Sequence, residues 1–160
     1  MDFEKRLEKA VERGLRASND RAKQAAQQAM SEEEFKRLHT KYRLEISEHI
    51  ERCVAQLPHH FPGFAIESII GERGWGSSVS RDDISLEGGR RANNFSRLEV
   101  YVRPFSKLRV VDLTAKGTIR NKEVYNRSHY QLITDVDTAS FTELIDLWVL
   151  EYAELYAAKT

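Results

Sequence analysis

Four acidic residues and one lysine lie in stretches that read as β-strands: Asp82, Asp83, Glu99, Asp112 and Lys116. Convergent carboxylates can hold Mg²⁺, and a neighbouring lysine can orient an attacking water, so these residues point to metal-dependent hydrolysis. One known nuclease pattern for it places one acid on a strand and an acid-x-Lys triplet on the next. Glu99-Val100-Tyr101 and Asp112-Leu113-Thr114 both lack the lysine, although Asp112 and Lys116 share a strand face by their spacing of four. A hydrolase is therefore the third reading, and no residue is assigned as catalytic.

Gly71-x-x-Gly74-x-Gly76 has the glycines of an anion-cradling loop but not their order, and no Gly-Lys-Ser/Thr follows. It reads as a hairpin loop, with Trp75 folded over the core as a lid. His59 and His60 are adjacent, so an extended segment points them apart, and neither stands at ligand spacing from Cys53 or His49. Cys53 falls on an apolar helical stripe and reads as a small buried hydrophobe. No metal and no cofactor are expected.

The densest chemical feature is a mixture of cations and aromatics. Arg97, Tyr101, Arg103, Lys116, Arg120, Lys122 and Arg127 lie between residues 90 and 127, where ten basic residues meet three acidic ones. Basic groups neutralise phosphates and aromatic faces stack on bases, so this set is the candidate polyanion surface. The run Lys116-Gly117-Thr118-Ile119 lacks the aromatics of an RNA-recognition sheet motif. Residues 128–160 hold one basic and six acidic residues, so the two segments could also neutralise one another.

The elements that must position these groups follow from periodicity. Residues 3–30 read as a helix with a thin apolar stripe that includes Phe3, Leu7, Val11, Leu15 and Ala22, weakened at Gly14 and at 18–20, where a bend or break is expected. Ser31 and Glu34 form a capping box that starts a second helix, whose stripe Phe35, Leu38, Tyr42, Ile46, Ile50, Cys53 and Leu57 ends before Pro58. The pair is expected to form a helical hairpin over residues 1–57. Beyond it, Phe64–Ile70, Val79–Leu86, the alternation around Leu98, Val100 and Val102, the alternation around Val111, Leu113 and Ala115, and the span 117–132 read as strands of an antiparallel meander. A last helix begins between Asp137 and Ser140.

The expected fold is α+β: two long N-terminal helices, an antiparallel sheet of four to five strands, and a C-terminal helix packed on the sheet, with residues 58–160 forming one compact unit with 1–57. At 160 residues, 41% hydrophobic and 31% charged, with 25 basic and 25 acidic residues, the chain belongs with ordinary globular domains. One cysteine, no apolar leader after Met1 and no uninterrupted apolar span make a cytoplasmic protein without membrane contact the expectation. The leading functional reading is a non-catalytic binding or assembly module with a protein partner or a second copy. Its interface is expected at Ala22 and Ala26, small enough to admit another helix, and at Leu147 and Leu150 on the last helix. Nucleic-acid binding through residues 90–127 is the alternative.

Overall fold

A computed structural model describes residues 2–159, the side chains of 26–30 and Glu87 excepted. The fold is α+β, with helix at both ends of a five-stranded antiparallel sheet. Helix α1 spans Phe3–Val54 without a break, and a single turn, α2, follows at Leu57–His60. The helix has no break at 18–20 and no new start at Ser31, so the segment read as two helices and a hairpin is one helix. Ser, Asn and Asp in a helix interior each cost less than about 1 kcal/mol relative to alanine, and the flanking Ala, Gln, Lys, Arg and Glu favour helix. No proline interrupts the chain before Pro58.

Contacts divide the chain into two units, Met1–Arg37 and Leu38–Thr160. The first is helical from Phe3 onward and exposed on nearly all of its described side chains. The second holds the remainder of α1, the sheet and the C-terminal helix α3, Thr138–Ala158.

Strands β1 (Ala65–Ile69), β2 (Trp75–Glu87), β3 (Arg90–Val102), β4 (Val110–Ile119) and β5 (Lys122–Leu132) pair in chain order. Two-residue turns close two of the hairpins. Gly88 and Gly89 have φ of 59° and 80°, and Arg120 and Asn121 have φ of 49° and 70°, the left-handed pair that matches strand twist. Asn121 tolerates this conformation because its side chain is bonded locally: Oδ1 accepts from the Phe95 amide at 2.9 Å, and Nδ2 donates to the Asn93 carbonyl at 2.7 Å.

The glycines on either side of Trp75 have a packing role. A Cβ on Gly74 would stand 2.2 Å from the Val102 carbonyl oxygen, and one on Gly76 would stand 2.0 Å from that of Val100. They let β2 lie against β3, so the expected loop becomes the start of a strand and Trp75 its first residue. Trp75 does fold inward: the Arg43 guanidinium of α1 lies 3.9 Å from its ring centroid.

Register places Leu98, Val100 and Val102 beside Val79 of β2 and beside Gly117, Ala115 and Leu113 of β4 on one sheet face. Ile46, Ile50 and Val54 of α1 and Phe141, Ile145 and Tyr152 of α3 are fully or almost fully buried over it. Tyrosines fasten α3 to the sheet. Tyr125 Oη donates to the Trp148 carbonyl at 2.9 Å, and Tyr152 Oη donates to the Thr118 carbonyl at 2.8 Å. Burial pushes both phenols well above their ordinary pKa. The cap of α3 is Asp137, which accepts from the Ala139 amide at 3.1 Å and from Ser140 Oγ at 2.8 Å. Asp137, the earlier of the two expected starts, is therefore the cap, and Ser140 supports it.

Candidate interaction surfaces

Four of the seven polyanion candidates, Arg97, Tyr101, Arg103 and Lys116, alternate with the core residues of β3 and β4 and so share the sheet face away from the helices. At its centre stands Glu99, paired across the strands with Ser78 and Lys116. Its side chain is only 10% exposed because two arginines close over it: Arg73 Nη2 donates at 2.5 Å, and Arg97 Nε lies 2.9 Å from the other carboxylate oxygen. Arg73 comes from the turn before β2, and its guanidinium also lies 5.4 Å from the Tyr101 ring centroid. Arg103 donates to Thr114 Oγ1 at 3.1 Å, with Asp112 at 4.0 Å. Arg73 and Arg97 share one carboxylate and Arg103 has Asp112 within 4.0 Å, so part of the cationic charge of this face is offset locally.

The other three candidates lie elsewhere. Arg120 and Lys122 flank the β4–β5 turn at one end of the sheet. Arg127 is across from Ala115 on the helix-covered face, where both of its terminal nitrogens donate to the Glu151 carboxylate of α3. The acidic C-terminal segment therefore neutralises one member of the basic set, and β3 and β4 supply the counterions of Arg97 and Arg103.

The acidic residues considered for hydrolysis are separated in the same way. Asp82 and Asp83 project to opposite faces, Asp82 accepting from Asn93 Nδ2 at 3.0 Å and Asp83 from Arg81 Nε at 2.7 Å. Burial raises the Asp112 pKa, with Arg103 and His129 acting in the opposite direction. Among the described residues these acids do not form a cluster of ligands.

Two apolar surfaces stand out. On α1 within Met1–Arg37, Phe3, Leu7, Val11 and Leu15 recur every four residues and are 74%, 52%, 55% and 63% exposed. They form one stripe on successive turns. Ala22 is exposed as well, while Ala26 lies outside the described side chains. On α3, Leu147 and Leu150 are exposed. Leu150 lines a cleft of about 330 Å³ together with Leu57, Phe61, Val149 and Ala153. The wide apolar arc of α3 is thereby divided: Trp148 and Val149 turn to the core, and Leu147 and Leu150 face outward.

A third grouping was not legible in the strands or loops. His49 and Cys53 of α1 meet Asp146 of α3, and their Nε2, Sγ and Oδ1 atoms all lie within 4.8 Å of one another. The spacing His49-x-x-x-Cys53 is the one sequence signal, since residues four apart share a helix face. Nothing in the sequence joins Asp146 to them.

Comparison with known families, with curated proteins and with solved structures finds no match for this chain. Among the described residues, no helix is long and apolar enough to cross a membrane.

Proposed function

We propose that the protein is a non-catalytic assembly module that associates through the N-terminal stretch of α1, its partner being a second copy of the same helix. The observation that carries this reading is the stripe Phe3, Leu7, Val11 and Leu15, four large apolar side chains exposed on successive turns of a helix. An isolated helix gains most of its stability from packing an apolar face, so such a stripe calls for another helix against it. Residues 1–37 contain nine basic and eight acidic residues, a near balance that lets two copies approach without strong repulsion. A polyanion partner would call for a clear excess of cations there.

The outward residues of α3, Leu147 and Leu150, and the cleft beside Leu150 form a second docking surface for a protein partner. The free thiol of Cys53 suits a cytoplasmic setting, where thiols are kept reduced. Nucleic-acid binding through residues 90–127 receives less support, because Arg97 and Arg127 are each paired with a carboxylate and Arg103 has Asp112 within 4.0 Å.

Sedimentation equilibrium between about 1 and 100 µM tests the reading. Each apolar side chain buried is worth about 1.5–3 kcal/mol when fully covered, so the double substitution Leu7→Lys/Val11→Lys should weaken association by more than about tenfold. Both positions are exposed, so the fold should be unaffected. A wild-type chain that stays monomeric throughout this range would reject self-association.

A further inference from the structure

We propose that His49, Cys53 and Asp146 form a zinc-binding site that ties α1 to α3, a site independent of the assembly surface. The three ligand atoms converge on one point. Asp146 Oδ1 lies 2.7 Å from His49 Nε2 and 3.2 Å from Cys53 Sγ, and Sγ lies 3.4 Å from Nε2. A tetrahedral zinc ion with Zn–N and Zn–O near 2.0 Å and Zn–S near 2.3 Å sets ligand edges of about 3.3 Å between N and O and about 3.6 Å to sulfur. The cluster therefore needs to open by about 0.6 Å between nitrogen and oxygen and by about 0.2–0.4 Å at the two sulfur edges. Asp146 is on an outer turn with its side chain 52% exposed, and His49 is 20% exposed, so it has freedom to do so and leaves the fourth position to water. Imidazole, thiolate and carboxylate together suit zinc better than Mg²⁺ or Ca²⁺, which prefer all-oxygen shells.

The geometry is that of a chelate and not of a nucleophile with its base. In a thiol–imidazole–carboxylate relay the acid orients the imidazole through Nδ1 while the thiol meets Nε2. Here Asp146 and Cys53 both face Nε2, and Nδ1 has Arg52 Nη2 at 3.5 Å. An ordinary thiol, with a pKa of about 8.5, keeps its proton at neutral pH. Zinc would displace that proton, forming the Zn–S bond and releasing one H⁺ to solvent per ion bound. In that state His49 carries its proton on Nδ1, and the exposed Arg52 side chain turns to water. Arg52→Gln should consequently leave binding intact or tighten it, by removing a cation beside the ion.

The test uses the full chain, freed of metal with a chelator and titrated with Co²⁺, whose thiolate charge-transfer and visible d–d bands report sulfur ligation and coordination number. The expected result is one equivalent bound with both bands, displaced by one equivalent of Zn²⁺. Cys53→Ser should abolish the charge-transfer band, and His49→Gln and Asp146→Asn should each weaken binding by more than about tenfold, the loss seen even for outer-shell partners. Far-UV circular dichroism verifies that each variant is folded. The proposal is overturned if folded wild-type protein shows no band at millimolar Co²⁺. It is equally overturned if folded His49→Gln and Asp146→Asn bind as the wild type does, which would mean a lone cysteine had captured the metal.

Discussion

His39 is the residue at which burial and charge conflict most directly. It is 2% exposed on α1, its ring meets Phe105 edge-on at 5.7 Å, and among the described residues its Nε2 has no hydrogen-bond partner. Burial first, and then the Arg43 charge, lower its pKa below the ordinary 6.5. Above 6.5 the ring is neutral whether the chain is folded or not, and the full stability is present. As the pH falls through 6.5 the unfolded chain takes up a proton that the folded one resists. Stability should therefore decline until the lower folded pKa is passed. Urea midpoints at pH 7.5 and pH 5 are expected to differ less for His39→Phe than for the wild type; equal differences would show that the ring does not titrate as its surroundings imply. Cys53 illustrates how a residue read from one helix changes meaning beside another. Its place on the α1 stripe reads as core, yet it is only half-buried, and what it meets is Asp146.

At the scale of elements, two glycines have opposite roles. Gly14 lies in the exposed interior of α1, where an added Cβ would meet nothing within 4 Å, so it contributes only backbone freedom to the unfolded chain. Gly14→Ala is expected to raise stability of that helix by about 0.5–1 kcal/mol, seen as a larger far-UV signal near the upper end of a thermal melt. Gly76 is closed in by backbone, with a Cβ placed 2.0 Å from one carbonyl oxygen and 2.6 Å from Tyr101 Cα. Neither atom belongs to a flexible side chain, so β2 and β3 would have to separate. Gly76→Ala should cost at least the upper part of the range of about 1–3 kcal/mol found for overpacked cores. If both variants melt with the wild type, close strand approach is not what this glycine provides. The sequence carries the glycine spacing around Trp75 plainly, but a loop and a tight strand start use the same residue for different reasons.

For the molecule as a whole, every buried hydrophobic residue among those described lies between Ile46 and Tyr156. The unit Leu38–Thr160 thus contains the core, and Met1–Arg37 contributes none of it. Residues 38–160 expressed alone should unfold cooperatively within a few degrees of the full chain and should lose self-association. A broad, non-cooperative melt would show that the N-terminal segment supports the core after all. Both halves of this outcome separate the two roles: folding belongs to the second unit, and assembly to the exposed stripe of the first.

The α+β class, the antiparallel meander and the position of α3 were legible in the sequence, because local periodicity reports which side of an element is buried. Leu98, Val100 and Val102 alternate with polar residues as a one-sided strand must, and Phe141, Ile145, Trp148 and Tyr152 recur with helical spacing. The uninterrupted course of α1 was less legible, since Ser31 and Glu34 fit a capping box equally well inside a helix when strong helix formers precede them. Three things were decided by tertiary structure alone. Glu99 became the counterion of Arg73, the basic segment was divided between two faces and a turn, and Asp146 was brought to His49 and Cys53 across more than ninety residues. Charge pairing and metal-ligand geometry depend on distances of a few ångströms between side chains remote in sequence. Periodicity along the chain carries no information about those distances; only the packing of one element on another determines them.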